Sequence, residues 1–301
     1  MTNEFQRKRN YSKWAPANLY PSIGAFLNLP TKEGLTTIEY GQRKIDFLIR
    51  NRNSDTTLLM FHSALSPRQK TIPCVQGEGI AAELGMNLIA LCDPSLDQGP
   101  LSCAWFLGDR ETGPLKKLLK PVINKLLADL GTQHLILSGG SGGGYAAVNF
   151  AEQFPGSSAV VFNPRLNLDG RPTSALDSYL ATCHNATTVT PMRRVKRDFI
   201  TPDLATACSR RNFNLFILQN VNDPRFLRNQ LVPFLENIDD SSNLWIKTFD
   251  GDQGHTPIPK PILHESLRAV QKFAQSHSED QLATADFHAA SDIADPSSLL
   301  P

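Results

Sequence analysis

The apolar positions of this chain change spacing repeatedly, from short continuous runs to helical periodicity and back. Leu35 to Tyr40 and Lys44 to Ile49 are β-rich runs on either side of Gly41, the pattern of an antiparallel hairpin. Thr57-Leu58-Leu59-Met60-Phe61 is an unbroken apolar run of strand length, as expected of a strand covered on both faces of a parallel sheet. A helical stretch from Ile80 to Leu84 then precedes a strand from Asn87 to Leu91. From Leu115 to Leu130, Leu115, Leu118, Leu119, Val122, Ile123, Leu126, Leu127 and Leu130 recur at helical spacing, with Lys116, Lys117, Lys120 and Lys125 on the other face. Pro121 is expected to start or kink that helix. Alternation continues with a strand His134 to Leu137, a helix Tyr145 to Phe154 and a strand Ala159 to Phe162. It resumes later with a strand Leu215 to Gln219, a helix Phe226 to Asn237, a strand Leu244 to Thr248 and a helix Ile262 to Ser276.

Strands alternating with helices predict an α/β fold: a mostly parallel central sheet with helices on both faces. Residues 165–212 interrupt the rhythm. They are rich in Thr, Arg, Asn and Asp and read as a partly helical polar cap inserted over the sheet. Residues 1–34 show little periodicity and read as an N-terminal arm with turns at Pro21 and Pro30. Residues 277–301 are polar and rich in Ala, Ser and Asp, which predicts a loosely packed, flexible C-terminal tail. The main domain would thus run from 35 to 276.

Composition narrows the function classes. The chain has 301 residues, 41% of them apolar, enough to bury roughly three-quarters of its unfolded surface. Thirty basic residues against 29 acidic ones leave a formal charge of +1, so nothing directs the protein to nucleic acid or to an anionic membrane. The five cysteines, at 74, 92, 103, 183 and 208, form no CxxC pair. They suit reduced thiols in a cytoplasmic protein, with no metal site and no cofactor implied. The polar segment MTNEFQRKRNYSKW lacks the apolar run of a secretory signal, and no stretch approaches the roughly 20 apolar residues of a membrane span.

The strongest chemical signal is Leu135-Ile136-Leu137-Ser138-Gly139-Gly140-Ser141-Gly142-Gly143-Gly144-Tyr145. An apolar strand runs into a Gly-rich turn and a helix start, with Ser141 at the apex. Such a sharp turn projects a serine hydroxyl above the sheet, and small neighbours two residues before and after avoid clashes. The following helix aims its N-terminal N–H groups at negative charge. A phosphate-cradling loop would need a lysine that is missing here. A dinucleotide fingerprint would need an acidic residue after the next strand, which ends instead in Asn163.

The GxSxG turn and the order of elements resemble the α/β-hydrolase superfamily over roughly residues 35–276. That resemblance implies a nucleophile, an acid and a histidine in that chain order. Asp223 stands in the loop after the strand ending at Gln219, where the superfamily places its acid. His255 stands in the loop after the last strand, where it places its base, and Gly254 allows a tight turn there. Asp250 and Asp252 are reserve acids. The resemblance also implies an oxyanion hole, with one N–H from Gly142 and another from Ser63 or Ala64 in the loop after Phe61. Ser63 replaces the glycine usual there. His62, Trp105 and Tyr145 are candidates for substrate contact, the first two from loops after sheet strands and the third from the elbow helix.

The cap carries Arg165, Arg171, His184, Arg193, Arg194, Lys196, Arg197, Arg210 and Arg211, and no Leu/Phe stripe of the kind that opens on lipid. The expected activity is therefore hydrolysis of a carboxylic ester of a small polar substrate, such as an acylated sugar. An acyltransferase with the same triad and a non-enzymatic interaction protein on this fold are the alternatives. The expected partner is a small-molecule acyl substrate; the sequence is silent on oligomeric state.

Overall fold

The computed structural model describes residues 7–66, 68–169, 174–209 and 211–300. They form two compact units. One takes the described residues of Met1–Gln133 and Pro172–Ile200, the other those of His134–Arg171 and Thr201–Pro301.

In the first unit, strands β1 (Asn18–Tyr20), β2 (Gly34–Tyr40), β3 (Arg43–Arg50), β4 (Thr56–Phe61) and β5 (Asn87–Cys92) lie in the order β4-β5-β3-β2-β1. The pair β4–β5 is parallel, in register from Thr57↔Asn87 to Phe61↔Leu91, and every residue of both strands is buried. Their continuous apolar pattern follows from that two-sided burial. The hairpin expected around Gly41 is present as antiparallel β2–β3, and β3 is also antiparallel to β5. The parallel pairing expected of the sheet is therefore mixed in this unit with antiparallel pairing, on both sides of β3. The segment read as an arm with turns at Pro21 and Pro30 supplies β1, which pairs in parallel with β2, and the strand Lys8–Arg9, which pairs with Thr71–Ile72.

The helix Leu115–Asp129 buries Leu115, Leu119, Val122, Ile123 and Leu126 of the expected apolar face, while Leu118 and Leu127 are half-buried at its margins. It continues through Pro121 where a start or kink was expected. Leu119 and Val122, on either side of the proline, are fully buried, and such packing can outweigh a propensity cost of about 3 kcal/mol. The middle of the predicted cap forms two helices. Ser174–His184 buries Leu176, Tyr179, Leu180 and Cys183, and the Tyr179 hydroxyl donates to the Gly108 carbonyl at 2.7 Å. Val189–Phe199 buries no residue.

The second unit is more regular. Strands β6 (His134–Gly140), β7 (Ser158–Phe162), β8 (Asn214–Asn220) and β9 (Leu244–Phe249) are parallel neighbours in chain order. After β6 comes the helix Gly142–Ala151, all of whose residues are buried; after β9 comes the helix Lys260–Ser276. The helix expected from Phe226 to Asn237 starts earlier, at Pro224, and contains a π-turn over Leu227–Leu231. The segment expected as a loose tail carries the helix Asp280–Thr284 and a strand β10 (His288–Ala289) antiparallel to β9. Leu282, Ala285, Phe287 and Ala290 are buried there, and the Phe287 ring meets that of Phe216 edge-on at 5.5 Å. Among the described residues no helix is long and apolar enough to cross a membrane.

Candidate active site

Ser141 stands between β6 and its helix with φ +50° and ψ −115°. A non-glycine residue there stores strain of about 1–3 kcal/mol, and such strain clusters at functional sites. The turn is held on both sides: the Ser141 N–H donates to Phe162 O at 3.1 Å, and its carbonyl accepts from Arg165 N–H at 2.9 Å. The tightest approaches fall at Gly140 and Gly144. A Cβ at Gly140 would meet the Phe162 ring at 2.1 Å, and one at Gly144 would meet Pro164 Cβ at 2.9 Å. The glycine run therefore lets the elbow lie against the chain that leaves β7. Ser141 makes no side-chain cap to its helix. Gly142 opens that helix, so its N–H has no intrahelical acceptor and stands ready for an anion.

Asp223 follows β8 and is 1% exposed. Its two oxygens do different work. Oδ2 accepts from His255 Nδ1 at 2.8 Å, and Oδ1 accepts from Phe226 N–H at 3.1 Å, capping the short helix Pro224–Phe226. The Phe226 ring lies on the His255 ring, with centroids 3.7 Å apart and planes 13° from parallel. One carboxylate thus fixes the imidazole by a hydrogen bond and places the aromatic surface that flanks it. With Nδ1–H donating to the aspartate, Nε2 carries the lone pair of a general base. Gly254, at φ +82°, supplies the bend just before the histidine. Ser141 Oγ makes no hydrogen bond to His255 among the described residues. In proteins without substrate this contact is often long and tightens on binding. Asp250 and Asp252 are exposed and do not meet His255; Asp250 Oδ1 accepts from Asn222 Nδ2 at 2.6 Å.

The remaining candidates are placed as follows. Tyr145 is fully buried, and its hydroxyl donates to Thr201 O at 2.8 Å. Trp105 is 3% exposed and meets Tyr179 edge-on. It forms a tight turn with Phe106 in which both have positive φ, +51° and +55°, and Leu107 N–H donates to Ala104 O. Ser63 N–H donates to Gln76 Oε1 at 3.2 Å; Ala64 is exposed, and its N–H has no partner among the described residues. Arg171 and Arg210 lie outside the described residues. Among the described residues no group of His, Cys, Asp and Glu side chains comes together to hold a metal ion.

His62 is buried with both ring nitrogens on backbone: Nε2 accepts from Asp93 N–H at 3.1 Å, so Nδ1–H donates to Ser63 O at 2.8 Å. Burial pushes its pKa from 6.5 down to about 4. Burial also pushes the Asp93 carboxyl up from 3.8 to about 6, although it accepts from Phe106 N–H and Ser95 N–H. These shifts act oppositely on stability. Unfolded His62 takes its proton near 6.5 and native His62 only near 4, so acidification through that window destabilises the fold. Native Asp93 takes its proton near 6 and the unfolded carboxyl only near 3.8, so acidification there stabilises it. The Asp93→Asn substitution removes the second contribution. Its melting temperature should fall more steeply than that of wild type between about pH 6.5 and 4. Equal slopes for the two proteins would contradict this assignment.

Sequence reasoning missed Phe226, Asn163 and Gln76. The one local signal for any of them was Asn163 at a strand end, which reads as an ordinary turn residue.

No protein-family model matches the chain, and no curated protein matches it. Solved structures do. One is the capsule O-acetyltransferase of Neisseria meningitidis serogroup A, with a TM-score of 0.54 and 17% identity over 84% of this chain and 96% of that one. Another is puromycin hydrolase, with a TM-score of 0.56 and 17% identity over 80% of this chain and 39% of that one. Identity this low speaks to architecture alone, and together with the strand–elbow–helix arrangement it shows that the chain has the α/β-hydrolase fold.

Proposed function

We propose that this protein is a serine hydrolase that cleaves carboxylic esters of small polar substrates. The observation that carries the reading is the buried Asp223 carboxylate hydrogen-bonded to His255 Nδ1 at 2.8 Å, in the same unit as a serine held at positive φ on a strand-to-helix elbow. In this reading Ser141 Oγ attacks the substrate carbonyl while His255 Nε2 takes its proton. The charge that develops on the carbonyl oxygen is met by the Gly142 N–H and the helix behind it. His255 then protonates the departing alcohol. Water, activated by the same histidine, attacks the acyl-enzyme and releases the acid.

The polar-substrate part of the reading draws on the sequence of residues 165–212, which is rich in Arg and carries no Leu/Phe stripe. A lipid-opening lid would present an apolar face instead. The second reading, transfer of the acyl group to a sugar hydroxyl in place of water, draws on the name of a structural neighbour, a capsule O-acetyltransferase. A panel of short- and long-chain esters, run with and without sugar acceptors, tests both. Fast release of short-chain acids, unaffected by the sugars, is expected. Acyl groups appearing on the sugar would establish the transferase reading, and a preference for long chains would overturn the polar one.

A further inference from the structure

The residues that leave β7 take no part in the chemistry proposed above, yet they touch all three loops that do. Phe162 O and Arg165 N–H hold the Ser141 backbone from both sides. Between them Asn163 is 2% exposed, with φ +42°. Its Oδ1 accepts from Asn220 N–H at 2.8 Å, at the start of the loop that carries Asp223. Its Nδ2 donates to Thr256 O at 3.1 Å, the residue after His255. Asn220, fully buried, extends the link. Its Nδ2 donates to Asp252 O at 2.8 Å and to Gly254 O at 3.3 Å, and its Oδ1 accepts from Asn222 N–H and Gly251 N–H. Gly254 N–H closes the circuit on Asn222 O at 2.7 Å.

The chemistry of position 163 is narrow. It needs an acceptor toward Asn220, a donor toward Thr256 and tolerance of a left-handed backbone. Asparagine alone offers all three at this side-chain length. A carboxylate would keep the acceptor and set a negative oxygen against the Thr256 carbonyl. Glycine would suit the backbone and lose both bridges. We propose that Asn163 is a positioning residue that, through Asn220 and Thr256, holds His255 and Asp223 in register with Ser141. The proposal rests on the reading of these three residues as a catalytic triad.

The test is the rate at which a fluorophosphonate probe labels Ser141 in wild type, Asn163→Asp and Asn163→Gly, with ester kcat and KM and the thermal midpoint of each. Misplacing reacting groups by about 1 Å costs on the order of 10²-fold. Labelling and kcat are therefore expected to fall about 10- to 100-fold in both variants while KM changes less than about twofold. In Asn163→Asp, the ratio of variant to wild-type rate should rise as pH is lowered from about 8 to about 5, because burial at this position and the facing Thr256 carbonyl push the introduced carboxyl up into that range, where it takes up a proton and regains a donor. A purely structural asparagine would not produce that rise. Folded variants that label as fast as wild type, or a pH-independent ratio in Asn163→Asp, would overturn the proposal. A wild type that reacts elsewhere than Ser141 would overturn the triad itself and the positioning role with it.

Discussion

Ester turnover by the Ser141→Ala variant is expected to fall by about 10⁴- to 10⁶-fold, because removing a nucleophile leaves only binding and oxyanion stabilisation to catalyse the reaction. The loss should come without loss of fold. Ser141 Oγ caps nothing in its helix, and the elbow is held by its backbone bonds to Phe162 and Arg165, which alanine keeps. Alanine also keeps the strain of φ +50°, whereas glycine relieves it at an entropic cost of about 0.5–1 kcal/mol. Ser141→Gly is thus expected to be equally inactive and more stable than Ser141→Ala by about 1 kcal/mol, a rise of about 2–4 °C in melting temperature. A catalytic serine held in strain should show this opposition of stability and activity. Equal melting temperatures for the two variants would mean that the elbow stores little strain.

The second large effect is expected at Asp223. In the Asp223→Asn variant, the introduced amide would present either an N–H or an uncharged oxygen to His255 Nδ1. The first would force the proton onto Nε2, the nitrogen that must accept from Ser141; the second would forfeit the charge that stabilises the imidazolium. A drop of about 10³- to 10⁴-fold in kcat follows. Asparagine remains a good helix N-cap, so the start of the helix at Pro224 should survive in this variant. Asp223→Ala should lose the cap as well, at a further cost of about 1 kcal/mol in stability. If Asp223→Asn retained more than about a tenth of wild-type kcat, Asp223 would be a capping residue and no more.

Much of this site could be read from local pattern. The elbow shows in sequence because three local signals coincide at Ser141: an apolar run, a glycine cluster and a helix start. Asp223 and His255 are legible by position, since each follows a buried strand that its own residues announce. What escaped depends on contacts between distant parts of the chain. Asn163 bridges to partners 57 and 93 residues away, so nothing beside it in sequence distinguishes it from a turn asparagine. Tyr145 looked available to substrate because its hydroxyl partner, Thr201, lies 56 residues on. Phe226 reads as the first residue of an amphipathic helix; its stacking on His255 arises only because Asp223 caps that helix.

The edges of the fold were illegible for a different reason. β1 and β10 have three and two residues, too few for a period-two pattern to register. The tail buries Leu282, Ala285, Phe287 and Ala290 singly among polar residues, so its composition resembled that of an unpacked end. The mixed pairing in the first unit was partly visible in the hairpin at Gly41. The antiparallel pairing of β3 with β5 joins strands too far apart in sequence for a turn to reveal it.

Everything proposed for this site depends on Ser141 being an activated nucleophile. Mass spectrometry of the 301-residue chain after exposure to a fluorophosphonate probe reads that property without any knowledge of the substrate. A single phosphonyl adduct is expected on the peptide that contains Ser141, abolished in Ser141→Ala and strongly slowed in His255→Ala. No adduct on wild type, or undiminished labelling of Ser141→Ala, would contradict it.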